Sequence, residues 1–280
     1  MVLPPRRRML ARVAGALGAA AGLGAPGALA LLALPRPAAA RPQAAPAQGA
    51  APAARNRPLR AVVLAIAPYG MLDVNGHKSG LFVDAIDMIG HGIRRHIDVT
   101  VAPYARAIAM LRSGEADLII AASNSAIAQA AEPMGMLWTA EVIAIGRAGF
   151  KLGGQQDLRG RTVGMLRGSD YGAAFLDDRE YRKHEITDQV QGIRMLLEGR
   201  LDASVGTRLA VFHSMRMLGV PRNRLGGSIA VQEREIHLHL GRRSADEALA
   251  TELRRVVHEL RSSGKADALL ARYLAGLPGA

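Results

Sequence analysis

Cysteine is absent from the 280 residues. That excludes a disulfide framework, a thiolate metal site, a cysteine nucleophile and a lipid-bearing N-terminal cysteine. Aromatic residues are sparse, at 4% with a single Trp, so a core here is built mainly from Leu, Ile, Val, Ala and Met. Also missing are the signatures of a nucleophile elbow (GxSxG), a zincin helix (HExxH) and a phosphate-binding loop (GxxxxGK). The expectation is therefore a protein that is not an enzyme, with no catalytic residue, no metal ligand and no cofactor.

Acids are lacking from residues 1–40, where Arg6, Arg7, Arg8, Arg12 and Arg36 supply five positive charges; set against a total of +12, this leaves +7 on the remainder. The later Arg and Lys residues are scattered, as on a solvated basic surface, and no nucleic-acid partner is expected. The basic stretch 6–12, the uncharged run 13–35 and the small residues Ala38, Ala39 and Ala40 read as a cleavable signal peptide over residues 1–40. That run is long enough to cross a bilayer uncleaved, but Gly15, Gly18, Gly22, Gly24, Pro26 and Gly27 dilute its hydrophobicity and favour cleavage. Arg6, Arg7, Arg8, Met9 and Leu10 resemble a twin-arginine signal, with Pro5 where Ser or Thr is usual. Residues 41–57, rich in Ala, Pro and Gln, read as a disordered spacer. A periplasmic location is expected.

From Leu59 onward, short apolar strands alternate with amphipathic helices, the pattern of βαβ units and a mainly parallel sheet. Strands are expected at 60–66, 99–101, 117–121, 162–166 and 235–240, and helices at 82–93, 105–112, 245–261 and 265–274. A further helix is expected after the turn at 167–170, with Ser169 or Asp170 as its N-cap. MLRSGEADLII at 110–120 and MLLEGRLDASV at 195–205 share one order: helix, glycine, two residues, aspartate, strand. Gly114 and Gly199 sit where a helix C-cap wants positive φ, and Asp117 and Asp202, 85 residues apart, lead into the strands. The repeat points to two similar lobes, although helix, glycine and strand recur in any α/β protein.

Six pieces in order carry a resemblance: Ala67, Pro68 and Tyr69 after the first strand; GLFVDAIDMIG at 80–90; PYARAIAMLRSGEADLII at 103–120; DLRGRTVGMLRGS at 157–169; LLEGRLDA at 196–203; and the closing helices. Together, over residues 58–275, they resemble the extracytoplasmic solute-binding proteins of ABC importers, in the type II family that includes the polar amino-acid binders. The resemblance implies an α/β fold of two lobes, each a mainly parallel sheet flanked by helices, joined by two hinge strands near 138–145 and 233–240. Lobe 1 would comprise 58–140 plus 236–280, and lobe 2 residues 141–235. It further implies a small-molecule ligand, an ABC permease in the inner membrane as partner, and a monomer. In amino-acid binders of the family, a Thr and an Arg after the third strand grip the ligand carboxylate, and an acid after the strand at Asp202 meets the ammonium. Here those positions fall on Ala126, Gln129 and Thr207, with Arg208 one residue further on. The resemblance therefore implies a ligand other than a standard α-amino acid.

Ligands of open α/β sheets lie beyond the carboxyl ends of the strands, which makes the strand tips the candidates. Tyr69 offers a ligand surface or packing beside Pro68. Ser123, Asn124 and Ser125 offer polar contacts or turn chemistry. Trp138 either stacks on ligand or fills core. Arg167, Ser169, Asp170 and Tyr171 join a guanidinium to a helix N-terminus and favour an anion, and Thr207 completes the set. His237 and His239 alternate on one strand face but lack a third metal ligand at recognisable spacing. Two alternatives remain open. One is a ligand sensor without a transport role. The other is a dehydratase-like enzyme, which would need a cleft carboxylate such as Asp170 or Glu141.

Overall fold

The computed structural model describes residues 57–277 apart from 170, 173, 174 and 176. The expected signal peptide lies outside the described residues, as does the expected spacer except for Arg57. The first half of the fold runs β1 (Leu59–Leu64), the hairpin β2 (Met71–Leu72) and β3 (Lys78–Ser79), α1 (Leu81–Gly92), β4 (Ile97–Ala102), α2 (Tyr104–Ser113), β5 (Leu118–Ala122) and α3 (Ser125–Ala130). A 16-residue strand, β6 (Ala131–Gly146), leads into β7 (Thr162–Leu166), β8 (Arg182–Ile186), α4 (Gln189–Leu197), β9 (Ala203–Thr207) and α5 (Arg208–Met217). The long strand β10 (Ser228–Gly241) returns, and α6 (Glu247–Ser262) and α7 (Lys265–Leu274) close the chain. The helix expected after Asp170 falls on residues that are only partly described.

Eight strands form one sheet in the order β4-β1-β5-β10-β6-β9-β7-β8. At its centre β6 and β10 pair antiparallel from Ser228 opposite Ile145 to Gly241 opposite Ala131. The second part of β10, Ile236–Leu240, also pairs with β5, whereas the second part of β6, Val142–Gly146, pairs with β9. Each half of the sheet thus holds three parallel strands whose first member lies in the middle: β1 between β4 and β5, and β7 between β8 and β9. Inner strands such as β5 (LIIAA) are apolar throughout because helices cover both faces. The edge strand β8 (RKHEI) exposes four of its five residues, and the charges there discourage pairing with another chain.

The sequence repeat has a structural cause. Gly114 and Gly199 adopt left-handed φ of 79° and 69°, ending α2 and α4. Asp117 Oδ2 then accepts the Arg60 amide at 2.9 Å, and Asp202 Oδ2 accepts the Thr162 amide at 2.9 Å. In both halves the aspartate joins the start of its own strand to the start of the parallel neighbour. Asp117 also receives both terminal nitrogens of Arg57, at 2.8 and 2.6 Å, so the last residue of the expected spacer is tied to the body. The core is layered to match: α2 and α3 cover one face of the first half with Ile108, Leu111 and Ile127, and α1, α6 and α7 cover the other with Ile86, Leu253 and Leu269.

Candidate functional site

The carboxyl ends of the parallel strands in the two halves converge on one cavity of about 120 Å³. Residues after β1, β5 and β4 supply Tyr69, Asn124 and Tyr104; residues after β7 supply Ser169 and Tyr171; Thr207 ends β9, and Arg234 stands on β10. Leu64, Phe82, Val142 and Ile236 line the remaining wall. This is the arrangement that chain reversal at strand ends produces in parallel sheets, here duplicated face to face.

Hydrogen bonds lock the polar groups of the wall. Tyr69 Oη donates to Thr207 Oγ1 at 2.7 Å, a bond between the two halves of the sheet. Thr207 Oγ1 also accepts from the Ala210 amide at 3.3 Å and so caps α5. Asn124 Oδ1 accepts from the Ile127 amide and caps α3, while its Nδ2 donates to Tyr104 Oη at 2.8 Å. Tyr171 Oη accepts from the Leu166 amide at 3.3 Å. Burial pushes the phenol of Tyr171 up to about 12, against hydrogen bonds from Ser169 and the Leu166 amide that lower it. Tyr69 is raised further, again by burial first. Both phenols are neutral at any physiological pH. Arg234 Nη2 donates to the Ser123 carbonyl at 2.8 Å.

The structure gathers Tyr69, Asn124, Ser169, Tyr171 and Thr207 around this cavity and leaves other expected residues outside its wall. Arg167 is 71% exposed and paired with Glu185 at 2.8 Å, because its side chain leaves the strand on the solvent side. Trp138 is 2% exposed and packs behind Phe82 at 5.9 Å between ring centroids; Phe82 in turn meets Tyr69 at 4.7 Å. The Trp therefore buttresses an aromatic wall without facing the cavity. Ser123 turns its hydroxyl to His239 Nε2 at 3.0 Å, and Ser125 opens α3. Asp170 lies outside the described residues.

Among the lining residues that escaped sequence reasoning are Phe82, Tyr104 and Arg234. Phe82 and Tyr104 each stand at or next to the start of a helix just past a strand or hairpin, so the strand-tip rule applied to those turns would have found them. Arg234 sits in the polar first part of β10, where no apolar periodicity announces a strand.

Charges elsewhere near the cleft are spoken for. Glu141 on β6 accepts two bonds from Arg208, at 2.5 and 3.0 Å, and that pairing holds its carboxyl below the ordinary range. Gln129 accepts from Arg112 at 3.1 Å on the exposed side of α3, and no charged side chain occupies the family handle positions at Ala126 and Gln129. Among the described residues no group of three or more His, Asp or Glu could hold a metal ion.

No protein-family model matches the chain, and no curated protein matches it either. Solved structures do. A histidine kinase sensor domain with similarity to periplasmic binding proteins superposes with a TM-score of 0.67 at 18% identity, over 80% of this chain and 99% of that one. A mutant of ArgBP from T. maritima gives 0.65 at 18% identity, over 80% and 97%. An ancestral amino acid-binding protein, a precursor of cyclohexadienyl dehydratase, gives 0.65 at 14% identity, over 77% and 94%.

Proposed function

Because this chain has the two-lobed fold of the periplasmic binding proteins, we propose that it is a periplasmic solute receptor that closes on one small polar ligand, with an anion as the favoured charge, and delivers it to an ABC permease. The carrying observation is the convergence of strand tips from both sheet halves on one cavity, bridged by the Tyr69 to Thr207 bond. A ligand there touches both halves only when they are together, so binding shifts the population toward the closed form. The lobes would be 58–140 plus 236–280, and 141–235, with β6 and β10 as the hinge. Export rests on the signal-peptide pattern of residues 1–40; among the described residues no helix is long and apolar enough to cross a membrane. We take the receptor to act as a monomer, consistent with its charged edge strand β8.

A second reading, a sensor that reports ligand to a membrane partner without transport, is favoured by the likeness to a sensor domain. An enzyme reading is weaker. Elimination chemistry wants a cleft carboxylate held protonated by burial, but no carboxylate lines the cavity among the described residues, and Glu141 is shifted the opposite way.

The test is a thermal-shift screen of the mature protein against amino acids, organic acids and small cations, followed by uptake of the compound found in cells with and without the gene. A raised melting temperature and lost uptake support the importer. A raised melting temperature with unchanged uptake supports the sensor. A flat screen counts against both.

A further inference from the structure

Four asparagines occur in the chain, and only Asn75 precedes a glycine. The pairing matters because an asparagine amide is a latent electrophile. The main-chain nitrogen of the following residue can attack its Cγ, and a side chain on that residue hinders the approach. Asn223 is followed by the bulky Arg224. Asn124 is followed by Ser125, but its amide is held at both ends: Oδ1 accepts from the Ile127 amide and Nδ2 donates to Tyr104 Oη. Asn56 lies outside the described residues. Asn75 is exposed at the tip of the β2–β3 hairpin, next to Val74, which is 100% exposed, so water reaches it freely.

One residue organises the turn around it. Asp73 Oδ1 accepts from the amides of Asn75 and His77, both at 2.8 Å, and the Asp73 carbonyl accepts from the Gly76 amide at 3.0 Å. Gly76 adopts a left-handed φ of 80°, and a Cβ there would meet no atom within 4 Å, so conformation and not space calls for glycine. While the turn is closed, the nitrogen that would react is therefore held in a hydrogen bond. Local opening releases it, and a short hairpin at the surface opens at small cost in free energy.

We propose that Asn75 is a site of spontaneous deamidation, its rate set by the opening of the Asp73 turn. The Gly76 nitrogen gives up its proton and bonds to Asn75 Cγ; the bond from Cγ to Nδ2 breaks, and Nδ2 leaves with that proton as ammonia. The five-membered imide then adds water and opens at either carbonyl, giving aspartate or isoaspartate, with nothing oxidised or reduced. The product sets a second carboxylate two residues from Asp73, and the isoaspartate form inserts a carbon into the main chain, which breaks the pairing of Leu72 with Lys78. The root of the loop is closed separately, by the Leu81 amide on the Pro68 carbonyl and the Phe82 amide on the Tyr69 carbonyl, each at 2.9 Å. The change thus stays in the hairpin and spares the wall formed by Tyr69 and Phe82.

The test is to incubate the purified protein in mildly alkaline buffer, folded and in urea, and to follow it by intact mass and peptide mapping. The folded protein should gain the mass of one NH2-to-OH exchange, located at Asn75 and partly as isoaspartate, with Asn124 and Asn223 unchanged. Unfolding in urea should speed conversion of Asn75 at least tenfold, and Asp73→Ala should speed it several-fold in the folded protein. Asn75→Gln should stop it. The converted protein should melt at an unchanged temperature but be cut faster by trypsin after Lys78. Folded protein that stays intact at Asn75 after the urea sample has fully converted would overturn the proposal, as would conversion of Asn124 at the same rate. An Asp73→Ala rate equal to that of wild type, or equal rates folded and in urea, would remove the turn from control of the reaction. A lowered melting temperature after conversion would show that the damage spreads beyond the hairpin.

Discussion

His239 lies within β10 with 1% of its surface exposed, its Nε2 against Ser123 Oγ and its ring 5.9 Å from that of His237. Burial first, then the neighbouring His237, lowers its pKa from 6.5 to about 4. A base that is harder to protonate in the folded state leaves the unfolded chain binding more protons between those two values, so stability falls as pH drops through that window. The full loss is about 3 kcal/mol at 1.36 kcal/mol per pH unit. His213, lowered by burial and by Arg216, pushes in the same direction. Asp117 does not contribute there. Burial alone would raise its carboxyl, but hydrogen bonds from Arg57, Arg60, Ser244 and the Arg60 amide outweigh that and hold it far below the carboxylate range; its stabilisation is lost only at still lower pH. His239→Gln should therefore flatten the melting temperature against pH between 6.5 and 4 while leaving the acid limb below it. An unchanged slope would mean that water reaches the His239 ring.

At the scale of elements, the two glycine caps separate backbone strain from packing. A Cβ at Gly199 would meet no neighbouring atom, so Gly199→Ala costs only the left-handed conformation, about 1 kcal/mol. Gly206, inside β9, has no such conformation, but a Cβ there would collide with the Gln189 amide, which donates to the Val205 carbonyl. Gly206→Ala should cost more than Gly199→Ala in urea unfolding, because Gln189 must abandon that bond. Equal costs would show that α4 gives way freely.

The same elements explain what was legible beforehand. The strand at 162–166 and the helix at 265–274 coincide with their expected bounds, and the helix at 82–93 is displaced by one residue, because apolar periodicity and a terminal glycine or turn coincide there. The hinge strand expected near 138–145 lies within β6, whereas the first part of β6 was hidden by Pro133 and Gly135, residues that ordinarily argue against a central strand. Gly135 is there because a Cβ would strike Val257 of α6 at 2.8 Å. The first part of β10 was hidden because Ser228–Arg234 is half-buried and mixed in polarity, without clean alternation. For the cavity, the strand-tip rule found five lining residues, whereas Arg167 failed because nothing in a turn's composition says which way its side chain leaves.

On the scale of the whole molecule, only β6 and β10 carry the chain from one half of the sheet to the other, so closure turns on what else spans the cleft. Tyr69 Oη on Thr207 Oγ1 is such a contact. A net hydrogen bond is worth about 1 kcal/mol, roughly a fivefold bias between open and closed forms at 1.4 kcal/mol per tenfold. Tyr69→Phe removes that bond but keeps the ring against Phe82 and the cap on α5, so the melting temperature should barely move while the empty protein opens. Thr207→Val removes bond and cap together and should open and destabilise; Thr207→Ser should do neither. Because the natural chain has no cysteine, Val74→Cys and Met217→Cys, at positions 100% and 67% exposed in the β2–β3 turn and on α5, give two unique dye sites on opposite halves. Single-molecule energy transfer on that pair should show a more distant population growing several-fold with Tyr69→Phe and shrinking again when ligand is added. Identical distance distributions for wild type and Tyr69→Phe would place the control of closure in the β6–β10 pairing and not in the contact across the cleft.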